Sequence, residues 1–310
     1  ILHSKRANIY YLERCRLMVK DGRVVYLSEK TKESNYWNIP IANTTVILLG
    51  TGTSITHAAV RLLASAGVLL GFSGTDGSPL ISGVEAEWIT PQSEYRPTEY
   101  VQKWINFWYD DRKRLLIAKE FQKNRLEFIR RIWQKEKDFH EANIHIDDFH
   151  IDKSLKRYEN TIQSAKSVDE LLTSEAQLTK QIYKYVATQT GINDFVRERE
   201  MATDSANMFL NHGNYLAYGL AATSLWVLGI PHAFAVMHGK TRRGALVFDV
   251  ADLIKDAIVL PLAFIHAKQE STEQEFRSHC LQAFIKYEAL DYMFDKIKAA
   301  TEFSFQRDTI

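Results

Sequence analysis

The sequence predicts an α+β multidomain chain: a small β-rich N-terminal domain over residues 1–90, a linker at 91–98 and a larger all-α domain over 99–310. Three observations carry that prediction. Alternating apolar residues gather around an Asp-Gly dipeptide near the start, turn-forming residues crowd into 76–98, and helical periodicity fills the rest of the chain. At 310 residues the chain is long enough for two such units, each with its own core.

In chain order, CRLMVKDGRVVYLSE alternates around Asp21-Gly22, a pair suited to the positive φ angles of a tight hairpin. TTVILLG, TSITHAAVRLLASAG and VLLGFSG then read as strand, helix and strand, with Thr53 or Ser54 as the expected helix cap and Gly67 as its stop. Gly50 and Gly52 form a lone GTG. It lacks the third glycine of a dinucleotide fingerprint and the GK[ST] of a phosphate loop, so it does not indicate nucleotide binding. Gly77, Pro79, Gly83, Pro91 and Pro97 mark the domain boundary.

Helices are then expected over Glu99 to about Phe139, Ser167 to Thr188, Asp204 to Leu228, from Phe248 onward, and over Glu273 to Ala300. The stretch from Ser205 to Gly239 contains no Asp, Glu, Lys or Arg and exceeds the roughly 20 residues a membrane span requires. Asn207, Asn211, His212, Asn214, His232 and Pro231 interrupt it, so it reads as a helix buried on all sides within a helical core, and no membrane contact is expected. DDRKRLLIAKEFQKNRLEFIRRIWQKEK reads as a solvated mixed face; in a protein that handles nucleic acid the same residues would form a phosphate-facing stripe.

A hydrophobic share of 45% with 25% charged residues excludes a disordered chain. With 39 Lys and Arg against 38 Asp and Glu there is no global field, so a polyanion must be met by local patches. Cys15 and Cys280 match neither a metal spacing nor a disulfide framework, which suits a reducing compartment and a cytoplasmic location. The sequence begins at Ile1 rather than Met, so a few residues are expected upstream, and no secretory pattern leads it.

The chemistry concentrates at two places. On the helix opened by Ser167, where S-V-D-E reads as a capping box, Glu175 falls on the apolar stripe of Leu171, Leu178 and Ile182. A carboxylate there must be paired, protonated or bound to a cation. Further on, HGKTRRGALVFDVADLIKD sets His238 at a turn beside Gly239, then Arg242 and Arg243, then Asp249, Asp252 and Asp256 on one helical face. Taken singly these are a hydrogen-bonded histidine and helix-start acids; together one imidazole and two or three carboxylates suit Mg²⁺ or Mn²⁺ better than zinc. FHEANIHIDDFHID, with His140, His145 and His150, spaces its histidines every five residues, which shares no face on helix or strand, and reads as an inter-helix loop.

Glu175, His238, Asp249 and Asp252 complete a recognisable pattern. Together with LHSKRANIYYLE, LLGTGTSITHAAVRLLASAGV, GFSGTDG, SEAQLTKQIYK, NMFLNHGNYLAYGL, LGIP and the MHG leading to FDVADLIK, it resembles the CRISPR-associated integrase family, Cas-one, in its type I-F branch. The resemblance implies that Glu175, His238 and Asp252 are metal ligands for Mg²⁺ or Mn²⁺, with Asp249 as the accompanying catalytic acid. It implies insertion of short foreign double-stranded DNA into a repeat array by attack of 3′-hydroxyls on phosphodiesters, with Arg242, Arg243 and Lys255 holding the DNA backbone. It also implies a homodimer bridged by a ferredoxin-like partner that is fused to the helicase-nuclease. The chain departs from the family at Ala245-Leu246, where Ser-Leu is frequent, at Asp252, where Glu is common, and at Lys255, often Arg. A metal-dependent nuclease acting on branched or single-stranded nucleic acid, and a non-catalytic nucleic-acid scaffold built on an ion-pair network, remain alternatives.

Overall fold

The structure, a computed structural model, describes residues 6, 8–28, 35–72, 87–89, 97–198, 202, 204–239 and 244–303. The Asp21-Gly22 hairpin forms as expected. Strands β2 (Cys15–Lys20) and β3 (Arg23–Ser28) pair antiparallel with Lys20 opposite Arg23, and both turn residues take positive φ, 50° and 71°. With β4 (Tyr36–Asn38) and β6 (Ser54–Ile55) they make one four-stranded sheet, in the order β4-β3-β2-β6.

A second sheet runs β1-β5-β7-β8, from β1 (Asn8–Leu12), β5 (Thr44–Leu49), β7 (Leu69–Phe72) and β8 (Glu87–Ile89). Its first three strands are parallel and β8 is antiparallel. Every residue of β5 is buried, because alternate side chains serve two cores. Ile47 and Leu49 pack with Leu17, Val24 and helix α1 (His57–Ser65); Val46 and Leu48 pack into the helical core. The cap of α1 differs from expectation. Thr56 accepts from the Ala59 amide at 3.3 Å, while Ser54 lies in β6 and the Thr53 hydroxyl donates to the Leu12 carbonyl at 3.0 Å. Gly67, at φ 75°, ends the helix as expected.

The described residues form ten further helices: α2 (Glu99–Trp108), α3 (Asp111–Trp133), α4 (Lys137–Glu141), α5 (Phe149–Ser164), α6 (Val168–Thr190), α7 (Ser205–Val227), α8 (Ala245–Lys255), α9 (Val259–Lys268), α10 (Glu273–Lys286) and α11 (Ala289–Thr301). The expected helix over 99–139 is thus three. Asp110 breaks it, its carboxylate accepting from the Arg112 and Lys113 amides to open α3. The histidine-rich segment is an inter-helix connection only over 142–148; its end opens α5, capped by Asp148. Helix α8 starts at Ala245, three residues before Phe248.

At the start of α6 the forward half of the capping box is present, Ser167 accepting from the Glu170 amide. The Glu170 carboxylate instead takes the amide of Lys166, one residue before the cap. The charge-free α7 is buried around its circumference by α8, α9, α10, α11 and β5. No described helix is long and apolar enough to cross a membrane.

Candidate active site

Two pieces of chain bring the chemistry together at the helical core: the 228–239 segment after α7, which carries His238, and α8, which carries the aspartates. Hydrogen bonds hold the segment from both sides. From α2, the Trp104 indole donates to the Phe234 carbonyl at 3.0 Å and the Trp108 indole to the Ala235 carbonyl at 2.8 Å. From α8, the buried Asp249 carboxylate accepts the backbone amides of Val236 (2.7 Å), Met237 (3.0 Å) and His238 (3.2 Å).

Asp249 also meets His238 Nδ1 at 2.7 Å. A carboxylate can only accept, so Nδ1 carries the proton and Nε2 presents its lone pair in the neutral ring. Burial disfavours the charged imidazole, but the Asp249 bond and the charges of Asp252 and Asp249 outweigh it and raise the His238 pKa. Asp249 is therefore the residue that orients His238 and stitches its loop to α8.

Asp252 lies one turn further along α8 and is buried, with the Lys255 ammonium against its Oδ1. Burial works to raise the Asp252 carboxyl, but Lys255, Arg125 and His238 outweigh it and hold it below the ordinary aspartate value.

Glu175 sits on the buried stripe of α6 and is paired, one of the three outcomes its position requires. Its Oε1 accepts Arg125 Nη1 at 2.7 Å and the Thr179 hydroxyl at 2.8 Å. Burial pushes this carboxyl up as well, and Arg125 more than reverses the effect. The charges of Glu175 and Asp252 act on each other, as do those of Asp252 and His238, so the three groups occupy one electrostatic neighbourhood.

Nothing in the sequence distinguishes Arg125, since α3 reads there as a solvated face. That reading suits its neighbours: Lys123 pairs with Glu120, and Arg130 with Glu159 and Asp152. Arg125 instead is wholly buried and donates Nε at 2.8 Å, with Nη2 in closer contact, to Asp256, the cap residue ending α8. Its Nη2 also reaches the Thr179 hydroxyl at 3.0 Å and its Nη1 the Gln122 carbonyl oxygen at 3.2 Å. Gln122 accepts from the Tyr158 hydroxyl at 2.9 Å and turns its amide to the Met237 sulfur at 3.1 Å, closing the network back to the histidine loop.

The donor set of His238, Glu175 and Asp252 fits a hard divalent ion in kind: one imidazole nitrogen with its tautomer fixed and two carboxylates held in the ionised form. It does not stand closed around one centre. Among the described residues no three His, Cys, Asp or Glu side chains are gathered at ligating positions, and the carboxylates rest on Arg125 and Lys255. Lys255, expected to face phosphate, has only about a fifth of its side chain exposed, 21%. Arg242 and Arg243 lie outside the described residues. His140 donates to the Trp133 carbonyl at 2.9 Å and stacks on His145, in keeping with a structural role for that segment.

Fold and site define a protein of two β-sheets leading into a helical bundle, with an acidic, one-histidine centre where the bundle receives a loop. A family model fits this arrangement. The CRISPR associated protein Cas1 model matches residues 9–298, and the chain belongs to that family. It is 53% identical to the CRISPR-associated endonuclease Cas1 of Pseudomonas aeruginosa, an alignment covering 100% of this chain and 96% of that one. Among solved structures it is similar to a CAS1 protein from Thermotoga maritima (TM-score 0.74, 18% identity, 95% and 96% of the two chains covered). It is equally similar in fold to a casposase bound to integration product (TM-score 0.74, 13% identity, 95% and 91% covered).

Proposed function

We propose that the chain is a metal-dependent DNA integrase of CRISPR adaptation, joining the 3′-hydroxyl ends of short foreign DNA to the repeat array. The observation that carries this reading is the Asp249–His238 bond at 2.7 Å, which leaves His238 Nε2 free beside two buried carboxylates, Asp252 and Glu175, whose charges act on each other and, for Asp252, on His238. Family membership supports it, as do the similar Pseudomonas endonuclease and the casposase holding an integration product.

In the proposed reaction a 3′-oxygen attacks phosphorus at a repeat edge, and the 3′-oxygen already bonded there departs with the proton the attacker gave up. One phosphodiester replaces another, so no nucleoside triphosphate is consumed, in keeping with the missing phosphate loop. Glu175, His238 and Asp252 would hold Mg²⁺ or Mn²⁺, which would supply activation of the hydroxyl and neutralisation of developing charge. Asp249 keeps His238 Nε2 available; Arg242 and Arg243 hold the DNA backbone, and Lys255 would join them only on leaving Asp252, where its ammonium rests. The protein acts in the cytoplasm as a homodimer, with double-stranded DNA and a ferredoxin-like partner fused to the helicase-nuclease.

The test is a joining assay with an array plasmid and fragments ending in normal or 3′-dideoxy nucleotides. Joining should require the 3′-hydroxyl and fall to background in Glu175→Ala, His238→Ala and Asp252→Ala proteins that still fold and bind DNA. The relative named as an endonuclease favours a second reading, in which water replaces the hydroxyl. Nicking that is indifferent to the dideoxy end, with no joining, would select it. Replacing Arg242 or Arg243 should weaken DNA binding and reduce its salt slope by about 1 each; an unchanged slope would remove them from the DNA contact.

A further inference from the structure

One buried cation of the site has no role in the proposed reaction. Arg125, Thr179 and Glu175 close a ring of three hydrogen bonds: Arg125 Nη1 donates to Glu175 Oε1 at 2.7 Å, Arg125 Nη2 to Thr179 Oγ1 at 3.0 Å, and that hydroxyl's single proton goes to the same Oε1 at 2.8 Å. A hydroxyl has one proton to give, so the guanidinium must meet its lone pair and the proton must point to the carboxylate. The direction of every bond in the ring is therefore fixed. Both donors fall on Oε1, and no described residue donates to Oε2. The other edge of the same guanidinium holds Asp256, at the end of the helix that carries Asp252.

We propose that Arg125, with Thr179, is a positioning residue: it locks Glu175 through Oε1 so that Oε2 is the oxygen offered to the divalent ion, and ties that setting to α8 through Asp256. This rests on the reading of Glu175 as a metal ligand. A planar fork explains why arginine is used. Its two edges meet two carboxylates from different helices at once, which a lysine ammonium cannot reproduce, although the charge is the same.

A merely structural ion pair and a positioning device differ in what they change. An arginine that only stabilises the fold would alter melting temperature and leave metal affinity alone. One that sets a ligand alters affinity, typically about 10- to 100-fold for a group behind a metal ligand. The experiment is a Mn²⁺ titration of the full chain, reading free Mn²⁺ by electron paramagnetic resonance, with thermal melts run alongside. The proteins are wild type, His238→Ala, Arg125→Lys, Thr179→Val and Glu175→Ala, together with the Thr179→Val change in the Glu175→Ala background.

Arg125→Lys and Thr179→Val should each weaken Mn²⁺ binding by about tenfold or more, and Thr179→Val should have no further effect once Glu175 is alanine. The small Thr179→Val change keeps the test decisive if Arg125→Lys fails to fold. Wild-type affinity in Thr179→Val overturns the proposal, as does an equal loss with and without Glu175. A wild-type protein with no Mn²⁺ site that His238→Ala removes would instead overturn the metal-ligand reading itself, a result separable from the first.

Discussion

At the scale of single residues the site is a matter of which polar group holds which. Asp249 accepts three backbone amides and an imidazole proton in a buried setting, so its removal orphans several donors at once. Asp249→Ala should lower the unfolding free energy by about 3 kcal/mol, the sum expected for a few lost charge-assisted bonds, and Asp249→Asn by less; a denaturant titration checks this, and an unchanged midpoint would show that the loop holds itself. The sequence shows Asp249 as an acid but not its partners, because the amides of residues 236–238 come from a turn that no periodicity describes. Glu175 was legible as a carboxylate out of place on an apolar stripe. Arg125 was not, because burying an arginine requires carboxylates that lie 50 and 131 residues away along the chain. Only Glu175 carried a signal that an unseen cation was required.

The same logic at the scale of elements explains which helices are legible in the sequence and which are not. The hairpin and α6 were readable because their signals are local: an Asp-Gly pair with alternating neighbours, and Ser167 capping three residues before Glu170. Helix α5 buries Ile151, Leu155, Tyr158 and Ile162, a regular stripe. The polar histidines and aspartates at its start mask that stripe. The α2–α3 break at Asp110 is a side-chain cap inside a continuous helical pattern, and on its near side α2 turns two indoles to the histidine loop. Trp104→Phe and Trp108→Phe should each cost about 1 kcal/mol and speed amide exchange in residues 234–238; unaltered exchange there would mean that Asp249 alone fixes the loop. Where α7 crosses α9, a Cβ on Gly213 would stand 2.5 Å from Val259 Cγ1. Gly213→Ala should therefore destabilise by about 1–3 kcal/mol through overpacking, and a melting temperature equal to wild type would show that the helices can separate without cost.

For the whole molecule, β5 joins the parts that the sequence separates, since one face of the strand belongs to the sheet core and the other to the helical core. The same junction contains a buried histidine. His212 on α7 packs edge-on to Tyr11 of β1 at 4.5 Å between ring centroids, with Glu273 4.0 Å away, and no described partner meets its Nε2. Burial, with the nearby Arg277 charge, depresses its pKa to about 3. The unfolded chain therefore binds this proton near pH 6.5 and the folded chain does not. Its contribution to stability is intact above that pH and declines as pH falls, by about 1.4 kcal/mol per unit between roughly pH 6 and 4. His212→Phe should remove that slope in denaturation series run at both pH values, and a slope shared by both proteins would place the acid sensitivity elsewhere. The most direct test of the central claim, that three distant groups share one divalent ion, is an anomalous difference map from crystals soaked in Mn²⁺. The account predicts a single peak bonded to His238 Nε2, Glu175 and Asp252, with Arg125 still on Glu175 Oε1; a map without a peak there, or with one that excludes His238, would contradict it.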